Sequence, residues 1–342
     1  MRNRSASNSS IDASCIAVQP SANPGLHRPN SSYDRSDVTN DFGTQTLRPV
    51  VSGAERVICC HRATLSGRQV PNSLSAVTEC VQARVPRLEI DVRFLADDTI
   101  AIFHDSELDL ETSASGPIGA QTRLSLPDVR HRTNPETGIS FLEDVVDAVA
   151  GSDTLLQVDL KPLSLLPDRQ LEHLERVLLP LGEQVIVGSQ GHWNLRRLKH
   201  VPVAFDPWLQ MRYQPNRKST ANAPHTLGLH GFWDDAPIAV SPFFSPIQYI
   251  ETRIDDIVSL LPRAIEWMVD IPTILHMSGF GAALGELLGR RNISLAAWTL
   301  TESSGNPSAI LEHVFDAGAS TVITDIPLAA AEAAAALSSE AA

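Results

Sequence analysis

Arg87-Leu88-Glu89-Ile90-Asp91-Val92-Arg93-Phe94 reads as a strand whose apolar run carries two acids two residues apart. Side chains alternate along a strand, so Glu89 and Asp91 point to one face. Two carboxylates on one face of a buried strand resist joint ionisation unless a cation lies between them. The pair points to a divalent-metal site; its plain alternative is a solvated strand end with two surface acids. Two further pieces share the form. Cys60-His61-Arg62 ends one apolar, β-branched run, and Ile102-Phe103-His104-Asp105 ends another.

Outward from these pieces, short apolar strands alternate with helical segments from residue 55 on, the pattern of a parallel sheet built from βαβ units. The strands expected are Arg56–His61, Arg87–Phe94, Ile100–His104, Leu155–Lys161, Gln184–Ser189, Pro202–Asp206, Ile293–Leu300 and Thr321–Thr324. Helices are expected over Ser73–Ala83, Ser140–Ala150, Pro167–Leu179, Asn194–His200 and Ser278–Arg290, with Ser140 and Glu143 as a capping box. Eight strands alternating with helices favour a closed (β/α)8 barrel, the TIM barrel of the α/β class, over an open sheet. The link from Asp91 to Ile100 is a turn at Ala96-Asp97-Asp98 with no room for a helix. The connection from Pro207 to Asn292 is the longest and must hold extra structure.

The chain has 342 residues, of which 43% are hydrophobic, so a sizeable core is available. Its 27 basic against 40 acidic residues give a net charge of -13, which argues against a nucleic-acid partner held by a broad basic surface. No stretch approaches the roughly 18 apolar residues of a membrane-spanning helix. Residues 1–52 are rich in Asn, Ser, Pro and Arg and read as a disordered extension, a transit peptide being the lesser reading. Residues 53–330 form the barrel, and 331–342 an Ala-rich tail. Cys15, Cys59, Cys60 and Cys80 show no zinc spacing; reduced thiols and a cytoplasmic location are the default.

Functional groups of such a barrel gather at the carboxyl ends of its strands. His61, Glu89, Asp91, His104, Asp159, Lys161, Ser189, Trp298 and Asp325 all fall at or just past one. Glu89 and Asp91 suit a hard cation, Mg²⁺ or Ca²⁺, because the donors are all oxygen. Asp159 is the third candidate ligand; a salt bridge with Lys161 is its structural alternative, and at i and i+2 the two share a face. His61 and His104 make a candidate proton-transfer pair, since imidazole titrates nearest neutral pH. Arg62 and Lys161 bring positive charge to an acidic pocket, a mixture that fits a phosphate. Asn72 either hydrogen-bonds near the His61 loop or serves as a helix N-cap, because Ser73 begins an apolar helical run.

In this order along one chain, the pieces resemble the glycerophosphodiester phosphodiesterase family, from about residue 55 to 328. His61-Arg62 resembles its His-Arg motif, Asn72-Ser73-Leu74 its Asn-Thr-Leu, Glu89-Ile90-Asp91 its Glu-x-Asp, and His104-Asp105 its His-Asp. Gly116-Pro117-Ile118-Gly119, Ser140–Val145, Asp159-Leu160-Lys161, Trp298-Thr299 and Thr324-Asp325-Ile326-Pro327 continue the series. The resemblance implies a TIM barrel with a Mg²⁺ or Ca²⁺ ion on Glu89, Asp91 and Asp159. It implies His61 and His104 as general acid and base, and Arg62, Lys161, Asn72 and Trp298 on the phosphate or substrate of a small phosphodiester, cleaved directly or through a cyclic phosphate. Four positions depart from the family pattern: Ala63 replaces a Gly, Val70-Pro71 a Pro-Glu, Asp159 a Glu, and Leu110-Glu111 stand near a usual Arg. Sugar-phosphodiester (opine-like) or phospholipase-D-like and lysophospholipid chemistry on the same barrel, and a silent binding barrel, are the competing readings. Oligomeric state stays open.

Overall fold

A computed structural model describes residues 47–213 and 245–340. Eight parallel strands close on themselves: β1 (Val57–Cys60), β2 (Arg87–Phe94), β3 (Leu155–Leu160), β4 (Val185–Ser189), β5 (Val203–Phe205), β6 (Glu266–Asp270), β7 (Ser294–Leu300) and β8 (Thr321–Thr324). Each pairs with the next, and β8 returns to β1 through Thr321↔Val57 to Thr324↔Cys60. Helices cover the outside and the barrel closes on itself, so β2 is buried at every position but Arg93, its charged residues alternating with Leu88, Ile90, Val92 and Phe94. The fold is the expected TIM barrel.

Two of the expected elements change places. Ile100–Ile102 is not a barrel strand; it folds back antiparallel on the end of β2, with Val92 opposite Ile102. The Ala96-Asp97-Asp98 turn makes that possible, Asp98 taking a left-handed φ of 64°. The eighth barrel strand is β6, inside the long connection that periodicity left unread. Glu266 disguised it: an acid at a barrel-interior position is tolerated because Arg87 of β2 grips it at 2.5 and 2.9 Å.

Period two sorts the strand residues into two cores. Outward residues join the helices in the main cluster, with Ile58, Leu88, Ile90, Val187, Phe205 and Trp267 among them. Inward residues Cys59, Ile186, Ala204, Met268, Ala296 and Ile323 form a separate plug inside the barrel. Below the plug lies the Arg87–Glu266 pair and above it the polar mouth, with Gln157 bonded to Arg87 while lining the cavity.

Helix boundaries follow local chemistry. Leu74–Gln82 starts where expected, its N-cap Ser73 accepting from the Ala76 N–H. The helix after Ser140 begins at Leu142, and the expected capping box is not made: Ser140 Oγ instead accepts the Leu74 N–H at 2.8 Å. The expected Ser278–Arg290 helix is two, Ile271–Ser278 and Leu284–Gly289, parted at Gly279 and Gly281. Asn194–His200 shortens to His192–Leu195.

Both ends of the barrel unit shift from the composition-based bounds. Leu47 and Val51 are buried, and a short hairpin of Val50–Val51 with Ala54–Glu55 leads into β1, so packing begins before residue 53. Residues 1–46 of the proposed extension lie outside the described residues, as does part of the Pro207–Asn292 connection. The Ala-rich tail is part of the terminal helix Pro327–Glu340, whose Ala330, Ala331 and Ala334 are fully buried. Alanine is the strongest helix former and lets a helix approach a neighbour closely, which composition alone read as a tail. Cys59, Cys60 and Cys80 are buried free thiols. Among the described residues no helix is long and apolar enough to cross a membrane.

Candidate active site

The alternation of β2 places Arg87, Glu89 and Asp91 on the inner face, at rising height towards the mouth. Asp91 is fully buried. The Asn72 side chain clamps it, donating to Asp91 Oδ2 at 2.7 Å and accepting the Asp91 N–H at 3.0 Å. Asn72 does this from a left-handed φ of 58°, a conformation Asn tolerates better than most residues. It is almost fully buried and gives both ends of its amide to Asp91. The structure therefore gives Asn72 a positioning duty; substrate contact, the role expected of it, is not where its side chain points.

Glu89 is held by the turn after β1. The chain turns left-handed at Arg62 and Ala63, φ 50° and 55°, and this aims the Arg62 N–H at Glu89 Oε2, 2.8 Å away. Ala63 stands where the family pattern has glycine, the residue to which that φ costs least. Asp159 comes from β3 beside β2, paired in register with Asp91. Oxygens of Glu89, Asp91 and Asp159 lie within 4.8 Å of one another.

Two cations face the acids. Lys161 Nζ sits 2.8 Å from Asp91 Oδ1 and 2.7 Å from Asp159 Oδ2. Arg62 Nε stands 3.3 Å from Asp91 Oδ2, and Glu111 lies at 4.0 Å on its other side. The salt bridge weighed as Asp159's alternative role is thus present, and it lies inside the acid cluster.

The histidines complete the ring. His61 Nδ1 meets Asp325 Oδ1 at 2.6 Å, which leaves Nε2 towards the acids, 3.8 Å from Glu89 Oε2. His104 Nδ1 meets Asp105 Oδ1 at 2.6 Å, while the His104 carbonyl accepts from Arg93 Nε. His61, Arg62, Glu89, His104, Asp159, Lys161 and Trp298 line one cavity of about 160 Å³. Trp298 adds a buried indole Nε1 with no hydrogen-bond partner. Ser189 is not part of the site; its hydroxyl ties the Leu160 carbonyl to the Gly191 N–H. Trp193 donates to the Leu163 carbonyl, and Trp208 lies under the Arg212 guanidinium; neither lines the cavity.

Electrostatics separate groups of the same type. Burial, reinforced by Asp91, pushes Glu89 up to about 8. Burial pushes Asp91 the same way, but the charges of Lys161 and Arg62 outweigh it and hold Asp91 well below the usual carboxylate range. His61 is raised: burial opposes its charge, and Asp325 and Glu89 overcome burial. His104 is lowered by burial, with Lys161 and Arg62 adding to the effect against Asp91. The two imidazoles are thus pushed in opposite directions, His61 towards keeping a second proton and His104 towards losing it, the kind of split that acid–base catalysis uses.

Several members of the ring carry no role in the sequence reading. Asp325 is placed there at a strand end and Asp105 in a quoted motif, yet nothing in one dimension joins Asp325 to His61, 264 residues away. Gln157, Gln190, Asp206, Met268 and Thr299 also line the cavity. Inward phase on their strands was the available signal for Gln157, Asp206 and Met268.

No family model matches the chain. A curated glycerophosphodiester phosphodiesterase of Bacillus altitudinis is 25% identical over 164 residues, 43% of this chain and 64% of that relative. Among solved structures, an Oleispira antarctica phosphodiesterase in complex with the product sn-glycerol-3-phosphate has a TM-score of 0.55 at 15% identity, covering 81% of this chain and 95% of that one. The relatives are glycerophosphodiester phosphodiesterases, the family the motifs resemble. Those of Agrobacterium tumefaciens and Thermotoga maritima superpose with TM-scores of 0.53 and 0.52, at 15% and 18% identity, over 81% and 80% of this chain and 97% and 95% of theirs. The likeness to these structures establishes the barrel. The chain spans under two thirds of the curated relative's length.

Proposed function

We propose that this protein is a metal-dependent phosphodiesterase that cleaves a glycerophosphodiester or similar small phosphodiester. The observation that carries the reading is the ring itself: two imidazoles, each anchored through Nδ1 at 2.6 Å, beside three carboxylates within 4.8 Å in one cavity. The donor set fits a hard divalent cation. Lys161 and Arg62 offset Asp91 and Asp159 but leave Glu89, which at neutral pH keeps its proton unless further positive charge arrives. Mg²⁺ or Ca²⁺ on Glu89, Asp91 and Asp159 would supply that charge and polarise the phosphoryl oxygens.

The chain's own residues then divide the work. Arg62 and Lys161 hold the non-bridging phosphate oxygens, and Trp298 offers its indole N–H to the same ligand. His104, whose burial disfavours the charged form, takes the proton of a substrate hydroxyl as its oxygen bonds to phosphorus. His61, whose charged form Asp325 and Glu89 favour, gives a proton to the bridging oxygen as that P–O bond breaks and the alcohol departs. A hydroxyl already tethered beside the phosphate gains from proximity, an advantage of about 7–11 kcal/mol at most. Water attacking the cyclic product runs the proton transfers again with the roles exchanged.

A product screen by ³¹P NMR over glycerophosphodiesters, lysolipids and sugar phosphodiesters tests the reading. Disappearance of a diester resonance in favour of a monoester or cyclic phosphate, dependent on Mg²⁺ or Ca²⁺, supports it. Unchanged spectra across all three classes would remove it. Buried reduced thiols at Cys59, Cys60 and Cys80 accord with a cytoplasmic setting.

A further inference from the structure

Asp206 follows β5 directly and is in inward phase with Ala204 of the barrel plug. It is 6% exposed, and it lines the cavity together with His61, Asp159 and Trp298. It stands outside the Glu89–Asp91–Asp159 trio. Its Oδ1 accepts the Trp208 N–H at 2.9 Å and its Oδ2 accepts Gln190 Nε2 at 3.0 Å. Each oxygen so engaged retains a further lone pair.

A carboxyl buried this far costs folding free energy unless something repays it. Accepting the Trp208 N–H two residues on, ahead of the short helix Trp208–Met211, is too little reason, since an exposed Asn or Ser makes the same local bond. The location supplies the better reason. Arg62, Lys161 and the two histidines of the phosphate end follow β1, β3 and the β2 hairpin, whereas Gln190 and Asp206 follow β4 and β5, so they supply polar groups to the cavity from the other strands of the ring. The cavity, about 160 Å³, falls below the roughly 300–1,000 Å³ common for small-molecule sites. It has room for a phosphate with one short arm, while a bulky second alcohol extends outside.

We propose that Asp206, braced by Gln190, is a specificity-determining residue that hydrogen-bonds the hydroxyl of the short alcohol arm farthest from the phosphate. It thereby selects esters of short polyols over equally sized esters that lack the distal hydroxyl. This rests on the phosphodiesterase reading above. A site built to bond a hydroxyl discriminates strongly against the analogue without it, because its own polar groups are then left buried and unpaired.

The test compares two nitrophenyl diesters with Mg²⁺ present: one of glycerol phosphate, the other of a propanediol phosphate that keeps the hydroxyl next to the phosphate-bearing carbon and lacks the distal one. Both retain the hydroxyl able to attack, so the pair isolates the distal contact. Wild type should favour the glycerol ester in kcat/KM by about tenfold or more. Asp206→Ala should bring that ratio close to one, and Asp206→Asn, which keeps an acceptor oxygen and the shape, should fall between. A wild-type ratio near one, or an unaltered ratio in both variants, overturns the inference while phosphodiester cleavage stands. If Asp206→Ala does not fold, the ratio in Asp206→Asn decides: a fall supports the assignment, and no change overturns it. Failure of wild type to cleave either ester overturns the phosphodiesterase reading and this inference with it.

Discussion

At the scale of single residues, His61, His104 and Asp91 are each held by a partner that does not itself line the cavity. Asp325 fixes His61 through Nδ1, so the imidazole presents Nε2 to the cavity. Asp325→Ala should lower kcat by about tenfold to a hundredfold with KM little moved, because an acid out of place loses part of the 10²–10⁴ that such catalysis contributes. Steady-state kinetics on the diester found by the ³¹P screen check this, and an unaltered kcat would dismiss Asp325 as a positioning residue. Asn72 does the same for Asp91. Asn72→Ala should weaken divalent-cation affinity by roughly 10–100-fold, the usual effect of losing a group that orients a ligand. Calorimetric titration with Mg²⁺ or Ca²⁺ measures it, and unchanged affinity would confine Asn72 to a turn-forming role. The acid pair on β2 was legible in one dimension because strand alternation is strict and a buried acid pair has few uses. The partner acids were less so: Asp105 is adjacent in sequence, whereas Asp325 meets His61 only when β8 closes on β1.

At the scale of elements, the buried Arg87–Glu266 pair joins β2 to β6 across the inside of the barrel, below the plug. Arg87→Met would leave the Glu266 charge buried with no cation, which typically costs about 3–5 kcal/mol. Urea unfolding should show that loss, and the double variant Arg87→Met with Glu266→Leu should recover much of it. No loss in the single variant would mean that the pair is not holding the two strands. The same pair explains why β6 escaped the sequence reading. An unbroken apolar run such as Val57-Ile58-Cys59-Cys60 announces a strand, whereas the short Glu-Trp-Met-Val-Asp, acidic at both ends, hides one. Ile100–Ile102 shows the converse error, a short apolar run with genuine strand character that pairs antiparallel and lies outside the ring. The spacing of Ser140 and Glu143 points to a helix cap, whereas Ser140 accepts the Leu74 N–H from 66 residues away, a contact that no local pattern carries.

At the scale of the whole molecule, the barrel pools acids from separate strands into one low-dielectric mouth, and stability there opposes function. Glu89 prefers to be protonated in the metal-free fold up to about pH 8, whereas in the unfolded chain it ionises near 4.5. Its contribution to stability is therefore complete below the unfolded value and is lost as pH rises through 8. In EDTA, Glu89→Gln should gain on wild type in Tm between pH 5 and 8.5, by roughly 2–4 °C per kcal/mol of difference. Mg²⁺ or Ca²⁺ should then raise the Tm of wild type more than that of the variant. A Tm gap that ignores both pH and cation would show that Glu89 is neither strained nor a ligand.

The claim beneath all of this is that His61 and His104 work as a pair on one phosphodiester. A ³¹P NMR time course of a glycerophosphodiester with wild type, His61→Ala and His104→Ala, each checked for folding by circular dichroism, puts it to the most direct test. Cleavage by wild type with each variant slowed about a hundredfold or more agrees with the pair. Cleavage at the wild-type rate by either folded variant would contradict it.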